Sequence, residues 1–287
     1  MPSPLLVIVG ETASGKSALA LNLAKKLNGE IISADSWTVY KGFDIGTAKP
    51  TNIEQQEVPH HLLDIANPLK GFSAAEFKRQ ADQTINDILV RGKLPILVGG
   101  TGLYIDSVIF NYGFLPAGPQ NRRQELDQLP LQEVKKLVEA ASISTEGIDV
   151  RNKRRLIRLL ESNGQRPTKQ DLRPNTLIIG ISTPKEELET RITKRVDQML
   201  EQSLEHEVRT LSQKYGWQIE PMKGIGYREW QNYFNGTQTL ALTRERIIRG
   251  SMQLAKKQRT WFRRNKYIHW YSNTSQIVAD VTTFLNK

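Results

Sequence analysis

The residues best suited to chemistry stand near the start of the sequence, where eight consecutive residues match a phosphate-binding loop. Every fixed position of the pattern G-x-x-x-x-G-K-[ST] is filled by the segment Gly10, Glu11, Thr12, Ala13, Ser14, Gly15, Lys16 and Ser17. In such a loop the backbone N–H groups face phosphate oxygens, the lysine adds a positive charge, and the serine hydroxyl can ligate Mg²⁺. We therefore expect this segment to bind a polyphosphate, with Ser17 as a metal ligand.

A second candidate is Asp35, the only acidic residue at a clear strand end. Three roles are compatible with its position. It could hold Mg²⁺ through water, it could act as a general base toward an attacking amine or hydroxyl, or it could cap the following turn. The position alone does not choose among these roles.

The elements that must position these residues form an alternating pattern of strands and helices. Short apolar runs at 5–9, 31–34, 94–99, 176–182 and 267–271 predict strands, and helical periodicity is present between them. This alternation predicts an α/β fold, a P-loop parallel sheet flanked by helices. Ligands of such sheets bind beyond the carboxyl ends of the strands, where Gly10, Asp35 and the turn containing Thr101 should converge.

One stretch lacks strand signals and predicts a separate helical part. Residues 113–174 contain helical periods at 124–129, 131–141 and 152–163, so we expect a small helical insertion domain there. The catalytic core should then consist of residues 1–112 and 175–287. Within the second part we expect long helices over 185–214 and 243–262.

Composition and charge narrow the class of protein. The 287 residues carry a net charge of +10, and no cysteine is available for disulfides or thiolate metal sites. Nine basic residues against one glutamate lie between Arg244 and Lys266, and five basic residues lie between Arg151 and Arg158. Two basic clusters with aromatic residues nearby fit an RNA-binding surface, although solvated helix faces would give the same pattern. We expect a cytoplasmic protein with neither a signal peptide nor a membrane span.

The motifs together resemble a known family. The segment Asp35–Pro50 reads D-S-W-T-V-Y-K-G-F-D-I-G-T-A-K-P, and it does not recur in ordinary P-loop kinases. With the segments 10–17, 58–64, 72–77, 97–104, 224–229 and 258–263, it resembles the tRNA dimethylallyltransferases, also called tRNA isopentenyltransferases, nearly from end to end.

The resemblance implies a reaction and assigns roles. The family transfers a dimethylallyl group from dimethylallyl diphosphate to the N6 amine of the adenine just 3′ of the anticodon, position 37 of tRNA. Lys16, Ser17 and Mg²⁺ would stabilise the departing diphosphate, Asp35 would accept the amine proton, and Thr101 would act beside them. The target base would leave its stack to reach the crevice.

The resemblance also implies residues that contact the tRNA anticodon stem-loop. Around the target base these are Asp35, Ser36, Trp37, Thr38 and Thr101. On the helical insertion they are Arg123, Arg155, Leu156, Ile157, Arg158 and Leu159. A shift of the alignment by one residue would put Arg122 in the place of Arg123. We expect a monomer. A P-loop small-molecule kinase, an adenine-nucleotide isopentenyltransferase and a non-catalytic RNA-binding relative are the alternatives.

Departures from the family pattern bear on the diphosphate site and, at Trp37, Thr38 and Asp149–Asn152, on tRNA fit. Glu11 replaces a proline, Trp37 replaces a methionine, and Met252 and Lys257 replace arginines, the first of which commonly faces the diphosphate. We hypothesise that Arg249, one helical turn before Met252, supplies the missing diphosphate contact. The adjacent pair His60 and His61 is expected to serve packing or a loop rather than a metal.

Overall fold

The computed structural model describes residues 3–116, 118–273 and 276–286. The chain divides into two compact units. The larger consists of Met1–Ile109 and Leu172–Lys287, and the smaller of Phe110–Asp171. The helical insertion expected over 113–174 and the smaller unit differ by three residues at each end. Within the described residues, no helix is both long enough and apolar enough to cross a membrane.

The larger unit contains six strands and nine α-helices among its described residues. Its elements in chain order are β1 (Leu5–Gly10), α1 (Lys16–Lys26), β2 (Gly29–Ser33), α2 (Asn52–Glu57), β3 (His60–His61), α3 (Ala74–Val90), β4 (Leu94–Gly99), α4 (Gly102–Ile109), β5 (Thr176–Ile181), α8 (Lys185–Glu201), α9 (Leu204–Tyr215), α10 (Gln231–Phe234), α11 (Leu240–Phe262), β6 (Ile268–Tyr271) and α12 (Ile277–Leu285). Helices α5 to α7 belong to the smaller unit. Two short 3-10 helices, Pro221–Lys223 and Arg228–Trp230, lie between α9 and α10.

The strands form one parallel sheet in the order β3-β2-β4-β1-β5-β6. The predicted α/β fold with a parallel sheet flanked by helices is therefore confirmed. Strand β1 lies between β4 and β5, and all six of its residues are buried, as expected for a central parallel strand. Strand β3 was not predicted, because two histidines carry no apolar periodicity.

Two apolar clusters account for much of the core of the larger unit. On one face Leu6 and Ile8 of β1 pack with α1 and α12 in a continuous apolar cluster. Beyond the carboxyl ends of the strands, α8, α9 and α11 pack in a second cluster around Tyr227 and Trp230, both fully buried. This second cluster supplies one wall of the crevice that the phosphate-binding loop enters.

Two expectations about helices in the larger unit were wrong. The helix expected over 185–214 is two helices, α8 and α9, because Ser203 adopts the left-handed conformation with φ of 69°. The last long helix begins at Leu240 rather than 243, because the Thr239 hydroxyl caps it by accepting from the Leu242 N–H. Helix α12 was not predicted.

The smaller unit contains helices α5 (Gln120–Gln128), α6 (Leu131–Ala140) and α7 (Lys153–Glu161). Their apolar faces form a small core of Leu126, Val134, Val138, Leu156, Ile157 and Leu159. Asn152 caps α7 by accepting from the Arg155 N–H. The three helical periods read from the sequence thus correspond to three helices, and their ends differ by at most four residues.

Candidate active site

The phosphate-binding loop runs from the end of β1 to the start of α1. Ala13 and Gly15 have positive φ angles of 61° and 93°, and Gly15 immediately precedes the helix. The N-terminus of α1 therefore points its free N–H groups toward the space in front of the loop. The buried hydroxyl of Ser14 has no hydrogen-bond partner among the described residues, which fits a loop shaped to receive a phosphate oxygen.

Lys16 is held inside the loop. Its ammonium donates to the carbonyl oxygen of Glu11 at 3.1 Å. Burial and the positive charge of Arg195 lower the pKa of Lys16 to about 8, against the opposite effect of Asp35 and Glu11. The two carboxylates thus do not fully offset the cost of holding the buried ammonium, and an incoming anion would stabilise its charged form.

Two residues near the end of α11, Gln258 and Arg259, bind to the phosphate-binding loop through hydrogen bonds. The Gln258 side chain accepts from the Thr12 N–H at 2.8 Å and donates to the Gly100 carbonyl at 3.1 Å. The carboxylate of Glu11 is buried and paired with the Arg259 guanidinium, which donates to it through both Nε and Nη2. Because the Glu11 carboxylate faces Arg259, only the backbone of Glu11 remains available to a phosphate.

Two arginines of α8 reach the loop from the opposite side, and the sequence interpretation missed both. Arg195 donates to the Thr12 hydroxyl at 2.9 Å, and Arg191 donates to the Ser14 carbonyl at 3.1 Å. Burial lowers the pKa of the Arg195 guanidinium, which nevertheless remains charged. A signal was present, because two arginines four residues apart share a helix face, and that helix directly follows a strand end.

Asp35 lies across from the loop, just beyond β2. One of its carboxylate oxygens accepts from the Trp37 N–H at 2.8 Å, which is the geometry of a turn cap. The Thr101 hydroxyl accepts from the Ser36 N–H at 3.0 Å, so the turn after β4 fixes the turn after β2. The expected convergence of Gly10, Asp35 and Thr101 at one edge of the sheet is present, and Asp35 can cap its turn while facing the crevice.

The crevice has two lobes that share Asp35, Arg195, Thr12 and Leu254 as well as Thr47 and Ala48. The lysine lobe, with a cavity volume of about 90 Å³, contains Lys16 and Ser17. The tryptophan lobe, with a cavity volume of about 210 Å³, contains Trp37 and a largely apolar wall. That wall is formed by Ile192, Val196, Met199, Ile225 and Ile247. Lys223 and Arg228 also line this lobe. The Asp35 carboxylate thus stands between the cationic site at Lys16 and a lobe that has an apolar wall.

The structure does not support the hypothesis that Arg249 replaces the missing arginine. The Arg249 guanidinium donates to Glu245 at 2.7 Å, with 68% of its side chain exposed, and it is not among the described residues that line either lobe. Met252 packs against the apolar cluster of α8, α9 and α11. The cation that faces both lobes is Arg195.

Five residues of the smaller unit that were expected to contact RNA are buried in its core or paired with Glu161. Leu156, Ile157 and Leu159 are buried in its core, so their side chains cannot contact RNA, and that expectation is corrected. Arg123 and Arg158 both pair with the buried carboxylate of Glu161. These arginines therefore have fixed positions.

The structure also gives the surroundings of four other residues that the sequence singled out. Arg155 lies on the exposed side of α7, and the Thr38 hydroxyl is buried within 3.1 Å of the Ser33 hydroxyl. His61 bonds to Glu30 at 2.6 Å, and His60 lines the lysine lobe. No group of three or more metal-binding side chains occurs among the residues that the structure describes.

Comparison with known proteins adds the family context. The model of the family described as IPP transferase matches residues 38–265. A tRNA dimethylallyltransferase of Anoxybacillus flavithermus is 43% identical over 98% of this chain and 94% of its own length. The resemblance deduced from the sequence motifs is confirmed.

Solved structures agree with these sequence matches. The tRNA isopentenylpyrophosphate transferase from Bacillus halodurans superposes with a TM-score of 0.75 at 36% identity, over 99% of this chain and 95% of that one. A eukaryotic dimethylallyltransferase acting on tRNA superposes with a TM-score of 0.78 at 26% identity, over 98% of this chain and 77% of that one.

Proposed function

The chain belongs to the IPP transferase family, and from this premise we propose the reaction and the residues that perform it. It is a prenyl-transferring enzyme that modifies tRNA. Its donor is dimethylallyl diphosphate, and its acceptor is the N6 amine of the adenine at position 37, adjacent to the anticodon. The observation that carries this assignment is the position of Asp35 between the lysine lobe and the tryptophan lobe.

The diphosphate of the donor binds at the lysine lobe. Lys16, the N–H groups of the loop and the Arg195 guanidinium supply positive charge there. This charge interacts more strongly with the departing diphosphate than with the esterified one, because negative charge grows on the bridging oxygen as the carbon–oxygen bond breaks. The apolar wall of the tryptophan lobe lies beside this site and limits access of water to the allylic carbon.

Asp35 acts as the general base. The adenine N6 attacks the allylic carbon, the bond from that carbon to the bridging oxygen breaks, and its electron pair leaves with the diphosphate. The proton released from N6 passes to the Asp35 carboxylate. Lys16, Arg195 and Asp35 lie close enough for their charges to interact, which supports simultaneous action on the leaving group and the nucleophile.

Magnesium fits the oxygen atoms available. Ser17 and Asp35 line the same lobe and offer one hydroxyl and one carboxylate. Mg²⁺ commonly binds to one or two such groups together with substrate phosphates and water. Ser17 would hold the ion, and the ion would neutralise charge on the diphosphate oxygens.

The smaller unit contributes the tRNA contact. Arg155 is exposed, and Arg123 and Arg158 are oriented by Glu161, so these three can supply charge to an RNA backbone. Contacts at the target base come from Ser36, Trp37, Thr38 and Thr101, of which Trp37 lines the lobe beside Asp35. The enzyme acts as a monomer in the cytoplasm.

The decisive experiment compares Asp35→Asn with the unaltered enzyme. Asparagine keeps an oxygen that can accept from the Trp37 N–H but is not a base, so the cap remains while proton acceptance is lost. We expect unchanged binding of an anticodon stem-loop RNA and a loss of transfer of at least about 100-fold, measured by nucleoside mass analysis. Asp82→Asn, which makes the same change at a half-buried ion pair of α3, is the control.

Three other outcomes have distinct meanings. Normal transfer by Asp35→Asn would remove Asp35 from the role of base. Recovery of transfer at high Mg²⁺ concentration would assign Asp35 to the metal instead. If the unaltered enzyme released phosphate from ATP and transferred nothing to RNA, the proposed reaction would be wrong and a kinase would replace it.

A further inference from the structure

An unusual set of hydrogen bonds surrounds the carboxylate of Glu207 on α9. Its two oxygens accept from three successive backbone N–H groups, those of Asp44 at 3.2 Å, Ile45 at 2.8 Å and Gly46 at 3.0 Å. The Tyr227 hydroxyl is a fourth donor, at 2.7 Å. Successive N–H groups that point to one side form an anion-binding concavity. Here the anion is a side chain of the protein itself.

The donors come from two segments that carried the family resemblance but received no chemical role. Residues 44–49 read D-I-G-T-A-K, and residues 224–229 read G-I-G-Y-R-E. Glu207 belongs to neither segment and lies 161 residues along the chain from Gly46. One carboxylate therefore joins two distant loops.

Close packing around the Tyr227 ring also holds the loop at Gly46 in place. The Tyr227 ring lies so near Gly46 that a Cβ on that glycine would be 2.6 Å from the ring. The ring also contacts Phe43, with centroids 5.0 Å apart. Burial and the Glu207 carboxylate raise the pKa of the Tyr227 hydroxyl, so it stays protonated and keeps donating.

The loop held in this way forms a wall of the reaction crevice. Gly46, Thr47 and Ala48 line the tryptophan lobe, and Thr47 and Ala48 also line the lysine lobe. At its far end the loop is tied by Lys49, whose ammonium donates to Asp44 at 2.5 Å and to Asp64 at 2.7 Å. Displacement of residues 46–48 would therefore change both lobes without touching Lys16 or Asp35.

We propose that Glu207 and Tyr227 are positioning residues for the transfer reaction, acting as a clamp that gives residues 44–48 the shape required for a closed crevice. This inference rests on the proposed function. The clamp touches neither substrate. It sets the distance between the wall formed by residues 46–48 and the catalytic groups, and a loosened wall would misplace the donor and the adenine relative to each other.

The test uses Glu207→Gln, Tyr227→Phe and the double variant. The same helix offers a matched control, because Glu205 also accepts from a tyrosine hydroxyl, that of Tyr233 at 3.4 Å. Glu205→Gln and Tyr233→Phe make the same chemical changes without altering the loop. Each protein is assayed with anticodon stem-loop RNA and dimethylallyl diphosphate at a temperature well below its unfolding transition. The value of kcat is calculated from the concentration of folded enzyme, so that loss of folded protein is not counted as loss of activity.

The clamp predicts a specific combination of results. Glu207→Gln should lower kcat/KM at least about tenfold, because one mispositioned wall suffices for such a loss. Inorganic pyrophosphate should bind within about twofold of its original affinity, because Lys16 and Arg195 are unchanged. Hydrogen exchange of the peptide containing residues 43–48 should become faster. The double variant should be no worse than Glu207→Gln alone, because the two residues act as one unit.

Two results would overturn the proposal. One is unchanged kcat/KM and unchanged exchange of residues 43–48 in Glu207→Gln. The other is a loss that the control variants share, or that the reduced folded fraction explains completely, which would make Glu207 merely structural. If the unaltered enzyme transfers nothing to RNA, the proposed function fails. The clamp is then judged by exchange alone, where unchanged exchange refutes it.

Discussion

The pKa of Lys16 leads to a prediction about how the site recognises a diphosphate. Burial and the charge of Arg195 lower this pKa to about 8, so the ammonium loses its proton at moderately alkaline pH in the empty enzyme. A bound diphosphate supplies the missing negative charge and raises the pKa again. Binding above pH 8 must therefore be accompanied by uptake of a proton, and affinity must fall as the pH rises.

The size of the effect follows from the fraction of protonated Lys16. With a pKa of about 8, roughly 90% of the empty enzyme carries the proton at pH 7, about 10% at pH 9 and about 1% at pH 10. If only this form binds well, the Kd for an organic diphosphate rises about tenfold from pH 7 to pH 9. The second ionisation of a phosphate group lies near pH 6 and is already about 90% complete at pH 7, so the ligand contributes little to the change.

The assay is isothermal titration calorimetry without Mg²⁺, using a non-reactive analogue of dimethylallyl diphosphate at several pH values and in two buffers that differ in ionisation enthalpy. Lys16→Met should bind weakly and without this pH dependence, whereas Lys25→Met, on the exposed side of the same helix, should keep it. Arg195→Met should move the loss of affinity to higher pH, because Arg195 lowers the pKa of Lys16. A constant Kd from pH 7 to pH 9.5, or an unchanged dependence in Lys16→Met, would refute the reasoning.

Three further predictions concern other parts of the chain. Burial opposes ionisation of Glu30, but hydrogen bonds from Arg91, His61 and Lys93 lower its pKa to about 2. The Glu30 carboxylate therefore stabilises the fold above the ordinary pKa of 4.5, and this contribution is lost as the pH falls through about 2. Glu30→Gln should lower the free energy of unfolding at pH 7 by about 3 kcal/mol in chemical denaturation and flatten its dependence on acid pH. Arg249→Ala should leave the KM for dimethylallyl diphosphate and the turnover rate unchanged, since its pair with Glu245 is exposed; a raised KM would restore it to the diphosphate site. Leu156→Ala should destabilise the smaller unit by about 2 to 5 kcal/mol, seen as a lower melting temperature, because the side chain is fully buried.

The parallel sheet and the phosphate-binding loop were accessible from the sequence because their signals are local. The apolar residues of β1 are followed within six residues by Lys16. This short segment indicates a strand, a loop and a helix without reference to the rest of the chain. The sheet then brings Asp35 and Thr101 to the same edge by topology alone. The boundary between α8 and α9 was not predicted, because the residue with the left-handed backbone there is Ser203 and not a glycine, and no proline marks the break.

The contacts made by the supporting cations and by the clamp could not be predicted, because the partners in each contact are distant in the chain. Arg195 and Thr12 are separated by 183 positions, and no local pattern states which loop an arginine will reach. Glu207 likewise lies 161 positions from Gly46, and no local pattern connects the two residues. The burial of Leu156 and Ile157 is different, because a helical period was already visible there. Residue-by-residue transfer from the family motif marked these residues as contacts, although their spacing fits the core face of a helix.

Two departures from the family pattern now have a common electrostatic consequence. Glu11 pairs with Arg259 and so neutralises a cation beside the loop, while Met252 contributes no charge at all. The positive charge that lines the lysine lobe is then concentrated on Lys16 and Arg195, which repel each other. That repulsion disfavours the empty, fully charged site, and a diphosphate bound at the proposed position between the two cations would relieve it. We therefore expect the site to favour an ionised diphosphate over a neutral ligand, because only the diphosphate offsets the repulsion between Lys16 and Arg195.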